Sequence, residues 1–413
     1  SNQALLLAAS HRAAAGPGPA REVSPTAVDL PLACVTAKGA SRWVRGHPWI
    51  YRSDVLESPG DPGLCRVFDT KKKFLGIALC SPRSEIRLRL LETRDRPIDR
   101  AWWRERLTRA VRQRTGIDAT AFRVVHAEGD RLPSLIVDRY DRWVVAQFLS
   151  AGLETQRETV VNALVEVLSP EGILLRNDVA VRRHEGLPER VELVHGDVPQ
   201  NIEVREGDIR YLAAPWIGQK TGAFLDQRGN RMLAARSCPP GGEALDGFSY
   251  HGSFALHLAR KAGRVVALDS SADALERGRE NARLNGMTNI EFLEGDTFDL
   301  LRSWERERRR FDIVVLDPPA FAKTKSAVPQ ALRGYNEINL RGFRILNPGG
   351  TLLTASCSYH VARAAFQEML ARAAEDSGRR VTLCQLLTQA PDHPEILSIP
   401  ETGYLKGALL TVD

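Results

Sequence analysis

From about Trp216 onward, runs of four to six apolar residues alternate with stretches of helical periodicity. EALDGF, RVVALD, IEFLEGD, DIVVLD, TLLTASC, VTLCQLL and ALLTV read as strands. FALHLARKAG, ADALERGRENARLNG, DLLRSWERERRR, NEINLRGFRILN and ARAAFQEMLARAAEDSG read as the helices between them. Regular alternation of this kind predicts an α/β unit over residues 215–413, with a mostly parallel, doubly wound sheet. Upstream the rhythm differs. Over residues 31–98 the apolar runs are short and broken by Gly, Pro and Asp, as in CVTA, CRVFD, KFLGIALC and IRLRLLE, which predicts a small β-rich unit. Residues 99–214 open with a helical AWWRERLTRAVRQRT. They then mix strands such as LIVDRY, WVVAQFL, ILLRND, VELVHG and IRYLAA with a helix over ETQRETVVNALVEVL, an α+β middle unit. Residues 1–30 are rich in Ala, Gly, Pro and Ser and read as a flexible tail. Their ALLLAA stretch lacks the preceding basic region of a signal peptide.

Composition narrows the class. With 413 residues, 43% hydrophobic and 26% charged, the chain has material for two or three globular cores. No apolar run approaches a membrane span, so no membrane association is expected. The six cysteines include no C-x-x-C pair and the nine histidines no H-x-x-H, so neither a disulfide framework nor a metal site is expected, and a reducing, cytoplasmic compartment fits best. The net charge of +6 is uneven: 15 basic residues face 9 acidic ones over residues 1–98, 17 face 19 over 99–214, and 25 face 23 over 215–413. In the basic N-terminal quarter Trp43, Trp49, Tyr51 and Phe68 interleave with Lys38, Arg42, Arg45, Arg52 and Lys71 to Lys73. That interleaving suits phosphate contact and base stacking, although each aromatic taken alone reads more simply as core.

In a doubly wound sheet the ligand lies over the carboxyl ends of the strands, so the residues just after each apolar run carry the information. The first run ends in LDGFSYHGSFALHLA, where Gly247 and Gly252 allow close approach to a ligand. Asp269 ends the second run, 22 residues after Gly247, where a carboxylate accepts both hydroxyls of a ribose. NAD and S-adenosylmethionine satisfy that pair equally. Asp296 ends the third run, placed for an adenine amine, and Asp317-Pro318-Pro319 with Phe321 follows the fourth. Two prolines behind an acid stiffen a loop that aims the carboxylate at a planar amine or base, which favours methyl transfer. Cys357, between Ser356 and Ser358, leaves the fifth run on the same rim as Asp317.

Together, AKGASRWVRGHPWIY, DVAVRRHEGL, GQKTGAFLDQRGNR, LDGFSYHGSFALHLA, VLDPPAF, SCS and DHPEILSIPETGYLKG make the chain from about residue 35 onward similar to the bacterial large-subunit (23S) ribosomal RNA cytosine-C5 methyltransferases. The resemblance implies a PUA-like RNA-binding domain at 31–98, an α+β middle domain at 99–214 and a Rossmann-like class I methyltransferase domain at 215–413. It implies S-adenosylmethionine as cofactor and large-subunit ribosomal RNA as partner, with a homodimer left open. It also implies that Lys220, Thr221, Gly222, Asp226 and Arg228 close over the cofactor, with an Asp226–Arg228 ion pair as the simpler alternative. The expected cofactor set adds Asp246, Gly247, Phe248, Ser249, Gly252, Ser253, Asp269, Ser270, Asp296, Thr297, Asp317 and Pro318. Cytosine C5 is a poor nucleophile, so Cys357 is expected to attack C6 while Asp317 bonds N3 and the exocyclic amine. Water or Asp317 then takes the C5 proton. Two features depart from the family: Ala320 replaces a lysine, and Tyr359-His360 follow SCS where the family has a glycine. Methylation of a base amine, with Cys357 dispensable, is the competing enzyme reading. A non-catalytic RNA-binding assembly factor is the other, which the presence of Asp269, Asp296 and Asp317 disfavours.

Overall fold

A computed structural model describes residues 30–413, so the expected tail lies outside the described residues apart from Leu30. Residues 32–92 form a six-stranded, mostly antiparallel sheet whose spatial order is Trp49–Tyr51, Ile86–Glu92, Phe74–Cys80, Gly63–Asp69, Leu32–Val35 and Val55–Glu57. The helix Ala37–Val44 starts where the Thr36 hydroxyl accepts from the Gly39 amide at 3.1 Å, and it turns Trp43 into a core with Ile50, Val67 and Leu88. The other flagged aromatics stay at the surface of this core. The Trp49 indole donates to Glu128 of the middle unit at 2.9 Å, while the Arg42 and Arg66 guanidiniums lie over the rings of Tyr51 and Phe68 at 4.7 and 5.3 Å.

The middle unit is a five-stranded sheet in the order Val191–Gly196, Gly172–Arg176, Trp143–Phe148, Leu135–Tyr140, Ala121–His126. Its helices Arg100–Arg112 and Arg157–Leu168 bury Trp102, Trp103, Leu107, Val160 and Leu164 against one face. Ile77, Leu79 and Leu91 of the first sheet join that same cluster. The other face of the sheet holds Tyr140, Val145 and Leu174 against a hairpin, Ile202–Glu206 with Ile209–Ala213. The first hairpin strand escaped the sequence reading because its apolar positions, Ile202 and Val204, are only two and alternate with charge. Leu256 and Ala282 of the C-terminal unit complete this cluster, so apolar contacts run unbroken from one unit to the next.

The C-terminal sheet has seven strands, β1 (Glu243–Gly247), β2 (Arg264–Asp269), β3 (Ile290–Glu294), β4 (Phe311–Leu316), β5 (Leu346–Ser356), β6 (Val381–Leu387) and β7 (Lys406–Val412), in the order 3-2-1-4-5-7-6. Strands β1 to β5 are parallel. β7 inserts antiparallel between β5 and β6. Helices α1 (Arg228–Ser237) and α2 (Ser253–Ala259) pack on Ala244, Val265, Ile313 and Val315. Helices α4 (Thr297–Arg306), α5 (Val328–Arg344) and α6 (Arg363–Ser377) pack on the opposite-facing Leu245, Val266, Val314 and Leu316. The remaining helix, α3 (Ala272–Leu284), links β2 to β3. Burial on both faces is why these strands read as unbroken apolar runs and not as alternating ones. The order reverses between β1 and β4, and a crevice opens there over the strand ends. Among the described residues no helix is long and apolar enough to cross a membrane.

Candidate active site

The turn after β1 is held in an unusual shape. Phe248 and Tyr250 take left-handed backbone angles, φ 65° and 52°, which side-chain-bearing residues adopt only when their surroundings impose them. Asp246 imposes this one: its Oδ2 accepts from Ser249 Oγ at 2.7 Å and from the Ala255 amide at 2.9 Å, while Oδ1 is buried without a partner. Gly252 enters α2 at φ 81°, and a Cβ there would sit 3.2 Å from the Phe292 ring. Asp269, at the end of β2, accepts from the Tyr250 and Ser271 amides at 2.8 and 2.9 Å and so links the two turns. Asp296 caps α4 through the Asp299 amide at 3.1 Å.

Opposite these turns stand the loops after β4 and β5. Phe321 packs its ring against Tyr335, Phe298 and Phe248, at centroid separations of 4.6, 5.9 and 6.4 Å, which anchors the Asp317-Pro318-Pro319 segment. Ser358 Oγ meets the Tyr335 hydroxyl at 2.9 Å and accepts from the Ala322 amide at 3.1 Å, joining that segment to the Cys357 loop. Asp317 and Cys357 thus reach one cleft of about 490 Å³ from two interlocked loops. The same cleft is lined by Lys220, Asp226, Phe248, Ser249, Ser253, Asp269, Ser270, Asp296, Thr297 and Pro318.

Six residues of the expected cofactor set stand behind this wall. Asp246, Gly247 and Gly252 shape the β1 turn. The Thr221 hydroxyl donates to Asp138 at 2.6 Å and meets the Tyr140 hydroxyl at 2.9 Å, fastening the loop to the middle unit. Gly222, at φ 136°, lies too close to Pro215 to carry a side chain comfortably. Arg228 turns to Asp392, with nitrogen–oxygen distances of 2.9 and 3.1 Å. The Asp226–Arg228 pair does not form. Asp226 instead binds Lys220 at 2.5 Å and accepts from the Tyr404 hydroxyl at 2.6 Å, because the backbone turn sends side chains two residues apart to opposite sides. Sequence reasoning missed Gln227, whose buried Nε2 has no partner at the cleft wall beside the equally unpartnered Asp226 Oδ1. Its one sequence signal was its place inside the FLDQR stretch. The DHPEILSIPETGYLKG stretch was noted for its resemblance, but Tyr404 within it was given no role at the cleft.

Charge in the cleft is predominantly negative. Burial pushes Asp246 up to about 7, with the nearby charges of Asp317 and Asp269 adding to the rise. Burial also pushes Asp317 up to about 7; Asp226 reinforces the shift, and Lys220 opposes it. The Cys357 thiol is raised to about 11 by burial and by Asp317. Burial works against the ionisation of Asp226, yet Lys220 next to it holds that carboxyl well below the usual carboxylate range. Such a cleft suits a ligand with ribose hydroxyls and positive centres and disfavours the pyrophosphate of a dinucleotide. Asp269 and Asp296 present carboxylates to the cleft, Phe248 and Phe298 supply apolar surface, and the unpartnered Asp226 and Gln227 atoms await polar groups. S-adenosylmethionine fits this donor set, including its sulfonium and ammonium charges.

Comparison with known proteins agrees. Residues 158–409 match the S-adenosylmethionine-dependent methyltransferase family and residues 34–93 the PUA-like domain. Ribosomal RNA large subunit methyltransferase I of Vibrio cholerae is 40% identical over 376 residues, 88% of this chain and 94% of that protein. The protein of the same name from Aeromonas hydrophila is 39% identical, covering 89% of this chain and 96% of its own length. The chain belongs to the ribosomal RNA large subunit methyltransferase I family. Like the family it joins, it is an S-adenosylmethionine-dependent methyltransferase with a PUA-like domain ahead of a Rossmann-like catalytic one. The fold recurs in a S-adenosylmethionine-dependent methyltransferase from Streptococcus mutans, TM-score 0.79 at 19% identity, covering 93% of this chain and all of that one. It recurs again in a methyltransferase complexed with SAH, TM-score 0.80 at 20% identity and the same coverage.

Proposed function

We propose that this enzyme methylates C5 of a cytidine in large-subunit ribosomal RNA, through a transient bond between Cys357 and C6. The family's name supports the RNA class. The observation that carries the chemistry is that Cys357 and Asp317 share the wall of one cleft with the carboxylates of Asp269 and Asp296. A nitrogen target carries its own lone pair and needs no thiol; C5 of cytosine does.

The bound cofactor supplies an electrophilic methyl group; the residues supply the rest. In the free site Cys357 is a neutral thiol, since burial and Asp317 hold its pKa near 11. Asp317, raised to about 7, is the group suited to receive the thiol proton and to pass one to N3 as sulfur adds to C6. The ring then carries enamine character at C5, and the S–C6 bond holds the adduct while the methyl is transferred. Loss of the C5 proton, with Asp317 or a water it orients as acceptor, re-forms the double bond and expels Cys357 as thiolate, which takes back the proton held on N3 and returns to the neutral thiol. The middle and N-terminal units are read as an RNA-docking body, with domain limits near 31–98, 99–214 and 215–413.

RNA with 5-fluorocytidine at the target tests this reading, because fluorine cannot leave as a proton. A denaturation-resistant protein–RNA band is expected from the native enzyme, and none from Cys357→Ala, which should still bind cofactor. Full methylation by Cys357→Ala would move the target to a base amine.

A further inference from the structure

Two residues past Cys357 the chain makes a tight turn in which the Val361 amide donates to the Ser358 carbonyl at 3.1 Å. The turn is held from beneath. The buried Lys406 ammonium donates to both the Ser358 and Val361 carbonyls, at 2.6 and 2.7 Å. On this clamped base stand Tyr359, 55% exposed, and an exposed His360, whose rings meet edge to face at 5.3 Å. An aromatic ring with more than half its surface in water, on a turn held rigid from beneath, is open to a ligand.

The surroundings name an occupant. The N-terminal unit reaches the same side of the molecule through His47, whose Nε2 lies 3.1 Å from Glu401, and through Gly46, which lies against Ser398. Tyr359 sits near enough to Glu401 and Tyr51 to feel both: burial raises its hydroxyl pKa, and those two add to the rise. Tyr51 in turn carries the Arg42 guanidinium over its ring at 4.7 Å. Among the described residues neither Arg42 nor Arg45 makes an ion pair. An exposed ring beside the nucleophile, followed by a second ring and unpaired guanidiniums, is the arrangement that takes a nucleotide strand: bases stack on rings while phosphates meet arginines.

We propose that Tyr359, braced by His360, is a stacking shelf for the nucleotide next to the target base, and that Arg42 and Tyr51 continue the strand path onto the N-terminal unit. This rests on the enzyme acting on RNA, and it does not depend on which atom is methylated. The shelf faces the base neighbouring the reacting one, so Tyr359 acts by positioning.

The test uses the full chain with Tyr359→Ala, Tyr359→Phe and Tyr359→Trp. Substrates are unmodified in vitro transcribed large-subunit RNA and an oligoribonucleotide carrying 2-aminopurine beside the target cytidine. Tyr359→Ala is expected to weaken RNA affinity and raise the KM for RNA roughly tenfold, as loss of one base–aromatic stack does. It should also abolish the 2-aminopurine quenching seen with native enzyme, while cofactor affinity stays unchanged. Phe and Trp should restore all three. Equal RNA affinity and quenching in Tyr359→Ala overturns the shelf, as does a Phe variant as impaired as the Ala one. If native enzyme methylates a nitrogen while Tyr359→Ala still loses RNA, the cytosine-C5 reading falls and the shelf stands.

Discussion

A carboxyl group that titrates near neutrality in a folded site has two observable consequences, and both are expected of Asp317. Its raised pKa, about 7, makes the ionised form that serves Cys357 appear only as pH climbs through that value. We expect kcat/KM to rise through about pH 7, and the rise to vanish in Asp317→Asn along with all but about a hundredth or less of the activity. A pH–rate series checks it. The second consequence is in stability. A native-state pKa above the unfolded one means the folded chain binds more protons between about pH 4 and 7, so this group's contribution falls as pH rises through that window. Asp317→Asn should therefore melt higher than the native chain at pH 8, on the order of 1–3 °C, and show no gain at pH 4. Melting curves with equal shifts at both pH values would mean the charge is not the cause. At this scale the sequence was informative about which residues terminate strands, because apolar runs announce where a chain leaves a parallel sheet. It was silent on partners. Asp226 and Arg228 looked like a pair because they are two apart in sequence, but side-chain direction is set by a backbone turn that no local pattern encodes.

The element that does most to assemble the cleft is the irregular segment between β6 and β7, residues 388–405, which has almost no periodicity to read. Its Asp392 takes Arg228 through two bonds, accepts from the Arg123 amide at 2.9 Å, and offers its carbonyl to Arg114 at 2.9 Å. One residue thereby fastens the middle sheet to α1. Burial opposes the charge on Asp392, but His393 and Arg228 beside it keep it ionised, well below the usual carboxylate range. Arg228→Ala strands that charge and should destabilise the chain by roughly 3–5 kcal/mol, the cost of breaking a buried pair from one side. Chemical denaturation measures it; a loss under about 1 kcal/mol would show that water or Arg123 compensates. The regular elements were legible for the opposite reason: β1 to β5 and their helices repeat one unit whose apolar face must be covered. β7 was legible as the ALLTV strand, but its antiparallel place between β5 and β6 was not, since an apolar strand carries no mark of its direction or its neighbours.

Taken whole, the chain is less divisible than its three rhythms suggest. Composition separates a basic N-terminal quarter from the rest, yet Ile77, Leu79 and Leu91 of that quarter lie in one apolar cluster with Trp102 and Trp103, and Arg89 pairs with Glu185 at 2.8 Å in the interior. Removing residues 31–98 would bare that cluster, so truncation is expected to yield aggregated protein and not a clean loss of RNA binding. Charge substitution is the better probe. Arg42→Glu with Arg45→Glu should leave melting and cofactor binding unchanged while weakening RNA binding and reducing the slope of log affinity against log salt by roughly one or more. An unaltered slope would remove the N-terminal unit from the RNA path. The position of β7 has a further meaning in time. A chain is made from its amino end, and β5 exists as soon as residue 356 has been added, but the strand that covers its edge comes only with residues 406–412. In the interval β5 presents a bare row of backbone donors and acceptors, the template on which foreign strands pair. During synthesis, then, the growing polypeptide passes through a stage in which Cys357 has been made and its sheet is still open, and slowing translation over that stretch should raise the yield of misassembled chain.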